Sequence, residues 1–329
     1  MRILSRHFAE VQRQRDWILF GADKDTFLWR GVVYLMVVYF GSILLAAVLT
    51  PLIYQGVQAW AGATEGKLAT YLAHHPFSRY FDRVRMFGVI LGMIWLMRRT
   101  EMWSFRKMGF RAGNRRRETF TLWFLVGITM LVPILLGQVF AGAINYRGEY
   151  GFGGILMVIL SALLSAVVVS FLEEAIFRGV VFRLFYTAMR PALAVVLASL
   201  FFAMVHFKHV PWDRSRPIGF GEGFEVAGLL LASPFHTFNL LYFVCYFMAG
   251  VILCLIFLRT RSLTACAGMH AGWVVTRLSY SRLVENAGET PNGFWGGAYV
   301  IDGVLPLIIL LLVAALLWPY ERKKAATVV

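Results

Sequence analysis

Charge is scarce in this chain of 329 residues. Only 15% of residues are Asp, Glu, Lys or Arg, against ~25% in an ordinary soluble domain. Acid is scarcer still, with 18 Asp and Glu against 32 Lys and Arg, a net charge of +14. There are three cysteines, Cys245, Cys254 and Cys266, all in apolar stretches and none in a CxxC spacing. An odd count without paired spacing excludes a disulfide framework and a thiolate metal site. Polar low-complexity segments and internal repeats are missing as well. Together these absences remove disorder, collagen, coiled coil and the secreted disulfide scaffold.

What is present is apolar surface. Hydrophobic residues make up 59% of the chain and the mean hydropathy is +0.67. A soluble fold has no interior large enough for that content, and lipid is its natural solvent. A span needs about 20 apolar residues. Candidate spans fall near 27–54, 84–97, 119–143, 153–189, 191–208, 238–258, 262–277 and 297–318. The expected fold is therefore all-α, a polytopic membrane helix bundle with about eight transmembrane helices. Its expected parts are a polar or amphipathic cytoplasmic segment at 1–25, about three helices within 26–150, a transmembrane core at 151–320 and a basic tail at 321–329. The first apolar run begins too late for a cleaved signal peptide and reads as a retained span.

The excess of basic residues has a sign along the chain. With an even number of spans, the segments 1–27, 98–117, 183–190, 259–261 and 322–324 share one face and hold 20 Lys and Arg, while the opposite loops hold 10. The positive-inside rule then places both termini in the cytoplasm, in a cell membrane read as the bacterial inner one. The densest patch comprises Arg98, Arg99, Arg106, Lys107, Arg111 and Arg115 to Arg117. It reads as a topology anchor against anionic lipid. No basic, aromatic-interleaved soluble module is visible, which argues against a nucleic-acid partner. The 208–237 segment reads as a gate or a plain loop.

Ionisable groups inside spans are expensive, so each is a functional candidate. Glu173, Glu174 and Arg178 lie in one apolar run, His206 in the next, and His270 in a later one. At 100° per residue, Glu174 and Arg178 are about 40° apart and one turn along, in the favourable order for an ion pair. Glu173 points about 140° from Arg178 and has no cation in its own helix. Glu174 is thus expected to be a held, structural carboxylate, and Glu173 the more desolvated one, suited to a general base. Depth agrees for His206. The probable turn at Arg190-Pro191 puts Glu173 ~25 Å and His206 ~23 Å along two antiparallel helices, at one level. His270, about 14 Å into its own helix, reaches that layer only if neighbouring helices overhang the membrane.

At these residues the sequence resembles the CPBP (CAAX protease and bacteriocin-processing, Rce1-type) family of glutamate-type intramembrane proteases. Glu173-Glu174-x-x-x-Arg178 matches its EExxxR motif, Phe202-x-x-x-His206 its FxxxH motif, and His270 opens its HxxxN/D motif; Phe247-Met-Ala-Gly250 is similar to its F-x-x-G stretch. The likeness covers roughly 155–280. It implies an endopeptidase acting on a membrane-associated protein or peptide. Glu173 would activate a water with help from His206, Glu174 and Arg178 would position them, and His270 would stabilise the oxyanion with the residue four positions on. It also implies a metal-independent site without a cofactor. The residue at that last position is Val274, so one oxyanion donor is missing, a loss that typically costs ~10²–10³ in rate. This leaves slow catalysis, a substitute donor or an inactive protein. Thr276 and Arg277 follow, but their angle from position 274 does not favour substitution.

Three alternatives to this metal-free protease stay open at the level of sequence. Glu, His and His form a set able to ligate zinc, though no HExxH is present. A non-catalytic relative that scaffolds a membrane partner fits Val274. A transporter using Glu173 and His206 as a proton relay is the third, although the inverted repeats usual there are not visible.

Overall fold

The computed structural model describes residues 24–64, 66–99, 116–206, 218–236, 239–287, 293–297 and 300–326. The 1–23 segment and, from the basic patch, Arg106, Lys107, Arg111 and Arg115 lie outside the described residues. The protein is an all-α membrane helix bundle with one short two-stranded ribbon. In chain order the helices are α1 (Lys24–Ala63), α2 (Lys67–Ala73), α3 (Phe77–Arg99), α4 (Arg116–Phe140), α5 (Phe152–Ile176), α6 (Phe182–Ala188), α7 (Pro191–Met204), α8 (Glu222–His236), α9 (Leu240–Thr260), α10 (Leu263–Leu283) and α11 (Val304–Ala326).

Each of the eight apolar runs contains a described helix. Among the described residues, four helical stretches are long and apolar enough to cross a bilayer: Trp29–Ala63, Arg116–Phe140, Phe152–Tyr186 and Leu240–Thr260. Pro191–Met204 and Val304–Trp318 are apolar but shorter. Length and composition among the described residues thus support four crossings directly, with shorter apolar helices beside them.

The helices sort into two compact units. One contains α1, α2, α3 and α8. Ile43, Ala46 and Ala47 of α1 pack with Phe77 and Phe81 of α3 and with Val226 and Leu230 of α8. Part of the segment read as a loop or gate is thus a regular helix. Glu222 and Glu225 in its first turn suit the positive end of the helix dipole, and Glu222 accepts the Gly219 N–H at 2.6 Å.

The other unit holds α4 to α7 and α9 to α11. Its centre is α10, which packs on both α4 and α5, while α9 packs on α7 and α11. The register of α5 explains its placement. Leu156, Leu160, Leu164 and Val168, four apart, are exposed on one face, as lipid-facing residues are. Val158, Ala162, Ala166, Ser170, Glu174 and Arg178, also four apart, are buried on another. Small residues on the inner stripe let α10 come close. Glycines do the same at the α4–α10 crossing, where a Cβ on Gly272 would lie 2.4 Å from the Phe124 carbonyl oxygen. Small-residue crossings of this kind drive helix association in lipid, where no hydrophobic force acts between helices.

The turns set the depth of the polar side chains. Arg190 is extended and Pro191 starts α7, as the sequence indicates. Between α9 and α10 the turn is only Arg261-Ser262. Arg261 adopts a left-handed conformation at φ 53° and donates its N–H to the Phe257 carbonyl, and the Ser262 hydroxyl caps the Ala265 N–H. A ribbon pairs Ile144–Tyr146 with Val284–Asn286, tying the α4–α5 connection to the end of α10.

Candidate active site

Glu173 and Glu174 close α5 at the point where the helix changes its winding. Phe177–Val181 form a π-helical turn before α6 resumes, and the Phe177 N–H reaches the carbonyls of both Glu173 and Glu174. Such wide turns inside helices frequently mark functional sites. Arg178 lies within it and is 1% exposed.

Glu174 is fully buried and bound from two sides. Arg178 Nη1 donates to its Oε1 at 2.9 Å, and His270 Nδ1 lies 2.8 Å from the same oxygen. A carboxylate only accepts, so His270 donates from Nδ1. Arg178 Nη2 also donates to the Gly250 carbonyl at 3.1 Å, and its guanidinium sits 4.7 Å over the Phe202 ring. Gly250 is required there, because a Cβ would meet Ser199 of α7 at 3.0 Å. One buried pair thereby joins α5, α7, α9 and α10.

Glu173 faces the other way, toward two imidazoles. Its Oε2 is 3.7 Å from His206 Nε2 and 3.8 Å from His270 Nε2. Those separations exceed a direct hydrogen bond and suit one bridging water. His206 stands in the turn just beyond the end of α7. Its Nδ1 lies 2.6 Å from the Phe202 carbonyl oxygen; a carbonyl only accepts, so Nδ1 carries the hydrogen and Nε2 is left for Glu173. The His206 ring is held between Phe202, at 4.3 Å, and Tyr246, at 4.6 Å. The Tyr242 hydroxyl donates to the His206 carbonyl at 3.3 Å.

The sequence-derived candidates Glu173, Glu174, Arg178, Phe202, His206 and His270 therefore converge within one unit. His270 joins the layer despite its shallow depth along its own helix. One expectation is corrected. The more desolvated carboxylate is Glu174, with no exposure, whereas the Glu173 side chain keeps 16%. The inner stripe of α5 buries every fourth residue, and that phase carries Glu174 inward and turns Glu173 toward the two imidazoles. Val274 packs against the apolar cluster of Ala162, Ala166, Ala271 and Val275. Sequence reasoning passed over Tyr242 and Tyr246 and took Trp273 for a core or interface-belt aromatic. Tyr242 and Tyr246, spaced i, i+4 on an apolar helix, were the available signal, but core aromatics share that pattern. Among the described residues, no three His, Cys, Asp or Glu side chains are arranged to hold a metal ion.

Residues 154–276 match the family model of the type II CAAX prenyl endopeptidase Rce1-like proteins. That span includes every motif residue and agrees with the resemblance read from the motifs. No curated protein and no solved structure shows a significant match to the chain.

Proposed function

We propose that this chain, whose Rce1-like segment carries the convergent carboxylate and imidazoles, is an intramembrane endopeptidase of the CAAX type that hydrolyses a membrane-associated protein or peptide. The observation that carries this reading is the position of Glu173 Oε2, 3.7 and 3.8 Å from two imidazole nitrogens belonging to different helices. Glu173 takes a proton from the water held between these groups, and the water oxygen attacks the scissile carbonyl carbon. His206, its Nδ1 committed to Phe202, orients the water through Nε2. His270 acts as the imidazolium, donating from Nδ1 to the Glu174 carboxylate and from Nε2 to the developing oxyanion, in a site of low dielectric where such donors are most effective. Glu173 then returns the proton to the leaving amine nitrogen as the carbon–nitrogen bond breaks. Glu174 and Arg178 touch no reacting atom in this scheme. They position His270 and fix the turn that presents Glu173. Both termini lie in the cytoplasm, where the basic segments meet anionic lipid.

The test is Glu173→Gln, which keeps shape and removes the base. Amino-terminal profiling of membrane proteins from cells making the wild type or this variant should show cleavage products only with the wild type, at equal amounts of folded, inserted protein. Identical profiles would end the proposal.

A further inference from the structure

Hydrolysis through Glu173 leaves a shortage of hydrogen-bond donors. His206 Nδ1 is bound to the Phe202 carbonyl and His270 Nδ1 to Glu174. Each ring has only Nε2 to offer, and His206 uses its own for the water. His270 is then left as a single donor for an oxyanion. The next residue on its face, Val274, has no donor and packs against the apolar cluster of Ala162, Ala166, Ala271 and Val275.

One turn along α10, on the other side of His270, stands Trp273. Its ring centroid is 6.4 Å from that of His270, and the residue is 7% exposed. The indole Nε1–H is buried and has no acceptor among the described residues. A buried donor left without an acceptor costs about 1–3 kcal/mol and calls for an explanation. Indole nitrogen only donates, so it cannot compete with Glu173 for the proton of the water. A buried, idle, donor-only group beside the imidazole is what an oxyanion requires when it forms.

We propose that the Trp273 indole N–H is the second oxyanion donor of this site, acting with His270 Nε2–H in place of position 274. This rests on the endopeptidase reading above. In each turnover the carbonyl oxygen gains the electron pair of the broken π bond, accepts hydrogen bonds from both donors, and returns the pair when the amine leaves; no proton moves to Trp273.

The experiment compares the wild type with Trp273→Phe and with β-(3-benzothienyl)alanine placed at 273, an isostere of tryptophan that replaces the N–H by sulfur. Glu173→Gln serves as the inactive reference. A substrate identified by membrane amino-terminal profiling is assayed with each full-length protein in lipid vesicles, and thermal unfolding is followed in parallel. Both 273 variants should lose about 10²-fold in kcat, with KM and unfolding temperature unchanged. Wild-type kcat in either 273 variant, the isostere above all, overturns the role of the N–H while leaving Glu173 chemistry intact. Wild-type protein that yields no more products than Glu173→Gln overturns the endopeptidase reading itself, and the donor role with it.

Discussion

His270 donates its Nδ1–H to Glu174 at 2.8 Å across 96 residues of sequence. That bond settles the orientation of the imidazole, because the opposite nitrogen must then face Glu173. A second donor, Arg178, shares the same carboxylate oxygen. The motif is therefore two carboxylates with different jobs. One is locked inside the protein by two donors, and the other is left partly exposed beside two imidazoles.

Breaking the locked pair should unfold the core before it alters chemistry. Arg178→Met leaves the buried Glu174 with His270 as its remaining donor, and one-sided removal of a buried pair typically costs about 3–5 kcal/mol. Glu174→Leu with Arg178→Met should recover much of that stability but little activity, since His270 loses its acceptor. Thermal unfolding in detergent micelles, set beside the cleavage rate, separates the two effects. Equal stability of the Arg178→Met single variant and the wild type contradicts the account.

His206 should show the reverse pattern. Its ring sits between Phe202 and Tyr246, and phenylalanine preserves that stacking. His206→Phe should fold, with a stability change within ~1 kcal/mol, because a volume-conserving swap is well tolerated. Its kcat should fall by about 10²–10⁴, the usual contribution of a positioned acid–base group. Retention of full kcat would remove His206 from the mechanism.

The α4–α10 crossing offers a purely structural prediction. A methyl group on Gly272 would meet the Phe124 carbonyl oxygen at 2.4 Å and the Ile128 nitrogen at 2.9 Å. Neither is the far end of a flexible side chain. Gly272→Ala should therefore destabilise the core by about 1–3 kcal/mol and displace His270 two residues away. Gly221, with open space around its Cβ position, serves as the control, and Gly221→Ala should leave unfolding unchanged.

Orientation is testable without a substrate. With 20 basic residues on one set of segments against 10 on the other, a green fluorescent protein fused after Val329 should fluoresce, and a fused alkaline phosphatase should be inactive. The opposite result places the carboxyl terminus outside and reverses the assignment of every loop.

Much of the site was legible from the order of residues alone. Charge is so costly in lipid that Glu173, Glu174, Arg178, His206 and His270 stand out against their apolar surroundings. The Glu174–Arg178 pair followed from helical phase, and the shared level of Glu173 and His206 from counting residues to the Arg190-Pro191 turn. These are local properties, carried by 100° and ~1.5 Å per residue. Periodicity did not reveal which apolar helices are long enough to cross. The described α7 ends at Met204, and runs that looked alike in composition differ in helical length.

The sequence by itself determined that this protein suits lipid, that it is helical, and that a few ionisable side chains stand apart in its apolar spans. Tertiary structure decided which carboxylate is buried, where His270 bonds, and what Val274 and Trp273 touch. Those outcomes depend on how close α4, α5, α7, α9 and α10 approach one another. That approach is set by small residues meeting backbone across a crossing, and no helical period along a single chain segment encodes the partner on the far side.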